Sequence, residues 1–209
     1  SVTKDQAAAI KAESSLKDDE NAKVEVQAYL KIEPQGYDVG QTYTLDITPV
    51  YDLVVTSNTA GAQNDEIKKE QPLSIHGKTT VSIPLPEGFV NEAQDVYVQH
   101  KGYEYEAQVS EAGGKMTATF TNPHGFSAFT VTTKSAAVAE VNGNRYTSFQ
   151  AAVDATGDNG TVKVLDANAT LNATISGSSK TIYVENGTGE NITVTINGTT
   201  KTIEKNASE

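Results

Sequence analysis

The chain has no cysteine. That excludes disulfide staples and thiol catalysis, so its stability must come from burial and strand pairing. It has a single arginine and no basic stripe, against a formal net charge of −11 over 209 residues. Nucleic acids and anionic membranes both need clustered Lys and Arg, so neither is an expected partner. No apolar run reaches the roughly 18 residues needed to cross a bilayer, so membrane insertion of this chain is not expected. Neither a signal peptide nor a sorting motif is recognisable. The acidity reads as solubilising surface charge.

Catalytic patterns are also missing. The three histidines, His76, His100 and His124, show no HxH or HxxxH spacing for zinc. Ser127 follows His124 closely but lies in no GxSxG elbow. None of the 27 acidic residues is singled out as half of a glycosidase pair.

What the chain does have is a period of two. Residues 1–21 stand apart as a lead-in helix or linker, with Ala7, Ala8, Ala9, Ile10, Ala12 and Leu16 spaced for a short amphipathic helix. From Val24 to Ile32, apolar residues alternate with Glu25, Gln27, Tyr29 and Lys31, which predicts a half-buried strand. Glu33-Pro34-Gln35-Gly36 predicts a turn. Further strands are predicted at 43–47, 51–56, 73–75, 79–85, 96–99, 103–109, 116–120 and 126–132, with a break at Pro49. Residues 57–71 are polar and predict a long surface loop. Residues 22–135 therefore read as an antiparallel, Ig-like β-sandwich domain.

The composition shifts near residue 135, where a domain boundary is expected. Residues 136–209 predict a second, small β-rich domain. Its one short helix runs through Phe149, Ala152 and Val153, capped by Thr147 or Ser148. Short strands follow at spacings of about ten residues, which suits either a small sandwich or the first rungs of a β-helix. The fold class expected is all-β.

Two stretches resemble modules of large surface proteins of Gram-positive, clostridial-type gut bacteria. The first is YLKIEPQGYDVGQTYTLDITPVYDLVVTS with SIHGKTTVSIPLPEGF and VYVQHKGYEYEAQVSEAGGKMTATFTNPHGFSAFTV, covering roughly residues 29–132. It is similar to their β-sandwich module, although Gly125-Phe126 interrupts the closing "T-x-x-H-x-S-x-F" pattern. The second, EVNGNRYTSFQAAVDATGDNGTVKVLDANATL, resembles the opening of their β-helix repeats. The resemblance implies an extracellular, cell-surface or secreted, non-enzymatic module for adhesion, display or spacing. It implies a monomer within a longer parent protein, with a host or cell-wall glycan or a surface protein as partner. It supplies no catalytic residue. The alternative is a carbohydrate-binding module of a wall- or glycan-processing enzyme.

For that alternative the binding candidates are Tyr97, Tyr103 and Tyr105, whose rings would stack on sugars if they face outward and would otherwise be core. Asp154, Asp158 and Asn159, with Asp166 nearby, offer oxygen ligands for Ca²⁺, though Asp and Asn also suit turns. No other cofactor is expected. Seven N-x-S/T sequons begin at Asn159, Asn168, Asn172, Asn186, Asn191, Asn197 and Asn206, a pattern that Asn-Gly turns before Thr-rich strands also generate.

Overall fold

A computed structural model describes residues 2–90, 92, 94–176 and 180–208. The fold is all-β: about half of the chain is strand, in sheets of mixed orientation, with two short helices. By compactness it falls into two units. One comprises Ser1–Pro34, Leu45–Gly77 and Gly125–Ala128; the other comprises Gln35–Thr44, Lys78–His124 and Phe129–Glu209.

The first unit opens with α1 (Lys4–Glu13). Thr3 and Gln6 form a reciprocal capping box: the Gln6 amide donates to Thr3 Oγ1 and the Thr3 amide donates to Gln6 Oε1. The expected lead-in helix is thus present, and it is docked: Ile10 is buried in one cluster with Leu53 and Val55. Strands β1 (Lys23–Asp38), β2 (Thr42–Thr56) and β3 (Asp65–Pro72) follow, with the end of β1 and the start of β2 (35–44) counted in the second unit. Among the described residues, β1 is outermost and pairs with β2 alone. Asp65 at the start of β3 accepts from Ser14 Oγ at 3.1 Å and the Ser15 amide at 2.7 Å, tying the helix exit to the sheet.

Four expectations change here. The turn predicted at residues 33–36 lies inside β1, because an outermost strand tolerates the N–H that Pro34 lacks. The turn sits at residues 39–41, where Gly40 takes φ +65°. The two strands predicted around Pro49 are one strand, β2; the Pro49 carbonyl accepts from the Leu73 amide at 3.0 Å, while residues 73–75 themselves form no strand. The long loop predicted at 57–71 is half strand, because β3 pairs antiparallel with β2 from Val50–Pro72 to Val55–Asp65. Two register shifts interrupt that ladder, and Glu70 has φ +48°. Bulges of this kind destroy the alternation by which a strand is read.

The second unit contains β4 (Thr79–Pro84), β5 (Val96–His100), β6 (Tyr103–Ala112), β7 (Lys115–Asn122) and β8 (Ala128–Thr132). After these come β9 (Ala139–Val141), β10 (Asn144–Tyr146), α2 (Phe149–Ala155), β11 (Gly160–Val164), β12 (Asn172–Ala173), β13 (Ile182–Asn186), β14 (Ile192–Ile196) and β15 (Thr199–Ile203). The hairpin turns Lys101-Gly102, Gly113-Gly114, Asn142-Gly143 and Asn197-Gly198 have positive φ at both residues, as a tight two-residue turn requires.

β6 is the strand on which this unit branches. It pairs with β5 along one edge. On the other edge it pairs first with β10, then with β7, which continues to β4. The branches meet across the core at Phe120 and Phe129, ring centroids 6.0 Å apart. Through β10 the sheet runs on to β9, β11 and β13. Residues 136–209 are therefore hydrogen-bonded into the same unit as residues 78–124.

The last third is a short coiled stack. β11 pairs in parallel with β13 and β12 with β14, Gly160 opposite Ile182 and Asn172 opposite Thr195. The offset is about 22 residues in both ladders, which makes two successive coils of a β-helix-like stack. β15 turns back antiparallel onto β14. Val162, Val164, Val184, Ile192, Val194 and Ile203 point into the core, where Phe149, Ala152 and Val153 of α2 join them. Ser148 caps α2 by accepting from the Ala151 amide, one of the two capping residues predicted. Asn186 is buried; its Nδ2 donates to the carbonyls of Glu190, Ile203 and Glu204, which pins the second coil to the chain that follows.

Candidate functional site

The residues with the most chemistry converge on β6. Because β10 takes its edge at Tyr103 and Glu104 and β7 takes it from Gln108 onward, Tyr105 to Ala107 lie in a fork between the two partners. A cleft of about 410 Å³ opens there, lined by Tyr103, Tyr105, Thr121, Glu140, Asn144 and Arg145, among others.

Strand alternation separates the two faces of β6. On one face Tyr103 stacks on His124 (centroids 3.6 Å, planes 8° apart) and tilts against Tyr146 at 5.0 Å. Tyr105 lies against Phe120, and its hydroxyl is 2.6 Å from His124 Nδ1. The loop holds His124 in place: its amide donates to Asn122 Oδ1 and its carbonyl accepts from Lys101 Nζ. Burial pushes the Tyr105 hydroxyl well above the ordinary phenol range. Burial, followed by the charges of His100 and Lys101, holds His124 below the ordinary imidazole range. Both shifts favour the uncharged forms, so the pair is neutral at pH 7 and acts as an aromatic brace.

On the other face Glu104 has 0% side-chain exposure. It accepts from Ser135 Oγ at 2.7 Å and from the Ala136 amide at 2.6 Å, and it pairs with Arg145 at 3.2 Å. Arg145 also bonds Glu106 and donates to Ser135 Oγ at 2.8 Å. Its guanidinium lies over the Tyr97 ring, 5.4 Å from the centroid. A buried carboxylate with three partners is stable where it stands, and removing one partner is costly.

These contacts belong to a longer row. Cross-strand registers place Gln99, Glu104, Arg145, Glu140, Lys163 and Glu185 side by side across β5, β6, β10, β9, β11 and β13. The charges alternate in sign from Glu104 to Glu185, the order in which neighbouring strands attract.

The predicted residues can now be placed. Tyr103 and Tyr105 share a face, half-buried, with one face of the Tyr103 ring covered by His124. Tyr97 is opposite Glu106 and so lies on the other face, under Arg145. The three tyrosines do not form one row. Asp154 accepts from Gln150 of its own helix. Asp158 Oδ1 accepts from the amides of Asn159 and Thr181, which seats the start of β13, and Asp166 caps its own turn through the Asn168 amide. Asn159 has φ +57° and donates to the Thr181 carbonyl. Among the described residues, no three His, Cys, Asp or Glu side chains come together as a metal site.

Comparison with known proteins finds no matching family model, curated protein or solved structure. Sequence reasoning missed Glu104 and Arg145. Arg145 is the chain's only arginine, and that singularity is the signal that could have marked it.

Proposed function

We propose that this chain is a non-enzymatic extracellular module of a bacterial cell-surface protein, serving as a rigid element for adhesion, display or spacing. The observation that carries the reading is the alternating charge row across five strands. It spends the chain's most distinctive polar residues on joining strands, in a protein with no disulfide to do so. The neutral Tyr105–His124 brace on the opposite face supports the same use. The likeness of residues 29–132 and 140–184 to surface-protein modules supports the location.

A second reading, a carbohydrate-binding module, draws on the cleft beside β6 and on Tyr103 and Tyr105 at its margin. The test is a screen of the purified chain against arrayed host and cell-wall glycans, with a Tyr103→Ala/Tyr105→Ala control. The scaffold reading expects no saturable binding that depends on those rings. Saturable binding abolished in the control would replace it with the carbohydrate module.

A further inference from the structure

β1 forms the outer edge of its sheet. Of its 16 residues none is fully buried, and Val26 and Tyr29 are 43% and 40% exposed. An outermost strand offers a row of backbone N–H and C=O groups to any strand that can pair with it.

The sequence of this edge is antisymmetric about Ala28. Reading outward from Ala28, Glu25 mirrors Lys31 and Lys23 mirrors Glu33, while Val26 mirrors Leu30 and Val24 mirrors Ile32. We propose that β1 is a homodimerisation edge: two copies pair antiparallel with Ala28 opposite Ala28, extending the sheet from one copy into the next. This goes beyond the scaffold reading and rests on a different part of the molecule.

The register follows from charge. With Ala28 on the two-fold axis, Lys23 faces Glu33, Glu25 faces Lys31, Val24 faces Ile32 and Val26 faces Leu30, and each pair occurs twice. A slip of two residues one way puts Lys23 opposite Lys31; a slip of two the other way puts Glu25 opposite Glu33. A parallel, in-register pair sets every charge against itself. A slip of one residue reverses the faces and sets apolar residues against charged ones. Among antiparallel registers that overlap the whole segment, only this one matches opposite charges on one face and apolar residues on the other; a parallel stagger of two residues also pairs Lys with Glu, but it is not closed by a two-fold axis. Charged residues on an edge are often guards against pairing, but guarding calls for charge alone and not for this mirror order. Lys31 at present contacts Glu33 at 3.2 Å and Glu70 at 2.7 Å. Both pairs are solvent-exposed and so give way readily to a partner strand.

A two-fold interface of this kind is isologous, which yields a decisive test. Sedimentation equilibrium of the full 209-residue chain, from micromolar to millimolar, is expected to show a monomer–dimer equilibrium based on a 22.2 kDa monomer. Glu25→Lys alone sets Lys against Lys twice, and Lys31→Glu alone sets Glu against Glu twice. Each is expected to weaken self-association by about tenfold or more. Mixed together, the two variants restore both opposite-charge pairs and should form a heterodimer of near wild-type strength. Circular dichroism checks that each variant folds. Should one misfold, Lys23→Glu with Glu33→Lys repeats the design on the other pair. A chain that stays monomeric at millimolar concentration overturns the proposal. So does a dimer that the single reversals leave intact, or one that mixing fails to restore.

Discussion

β1 and β6 are written in similar letters and meet opposite fates. Both alternate glutamates with other side chains, and both carry tyrosine. In β1, Glu25 and Glu33 meet water and Tyr29 is 40% exposed. In β6, Glu104 is sealed beneath Ser135 and Arg145, and Tyr103 is stacked on His124. The difference lies in the neighbours. Among the described residues β1 has one pairing partner, whereas β6 has β5 on one edge and both β10 and β7 on the other. Alternation along a strand tells which residues share a face; only the partners decide whether that face is wet.

The sharpest way to break the contrast is to remove the matching glutamates. Glu104→Ala strips Arg145 of its buried partner and should cost about 3–5 kcal/mol, measured by chemical denaturation. Glu104→Gln, which keeps the shape, should cost less. Next in size is Gly187→Ala. A Cβ there would come within 2.8 Å of the Val164 carbonyl oxygen and 2.6 Å of Lys163 Cε, where the second coil crosses the first. Backbone must shift, so a loss of about 1–3 kcal/mol is expected in thermal melting.

Tyr105→Phe removes the hydroxyl from His124 Nδ1 and should cost about 1 kcal/mol. The same brace sets a pH dependence. His124 is held below its unfolded value of 6.5 in the folded state, first by burial. As pH falls through 6.5 toward the lower folded value, the unfolded chain takes up the proton first. Stability is therefore greatest above 6.5 and declines with acidification. His124→Asn should flatten that decline between pH 7 and pH 5, even if it lowers stability overall. At the small end, Glu25→Ala on the open strand should change stability by no more than about 0.5 kcal/mol. A loss as large as that of Glu104→Ala would erase the distinction between the two strands.

How much of this was legible in the sequence depended on the range of the interaction. The all-β class, the Gly-containing hairpin turns and the Ser148 cap are local, and their chemistry is written in adjacent residues. β3 was not legible, because two register shifts and Glu70 at positive φ scramble its alternation. Nor was the run of β1 through Pro34, which depends on the strand being outermost. At the candidate site, alternation correctly grouped Tyr103 with Tyr105. The side on which Tyr97 falls depends on its register with Glu106, and the Glu104–Arg145 pair joins residues about forty positions apart. The change of composition near residue 135 is real in the sequence, yet hydrogen bonds from β10 to β6 cross it.

The similar offsets of the two parallel ladders, 22 residues from Gly160 to Ile182 and 23 from Asn172 to Thr195, have a consequence for how such a protein can change length. Inserting a single residue within a strand would turn inward-facing valines such as Val162 and Val184 toward solvent. Duplicating one full coil, about 22 residues, would preserve every inward position and lengthen the stack by one strand spacing, roughly 4.8 Å. Growth by whole coils is therefore the change of length that leaves the core pattern untouched.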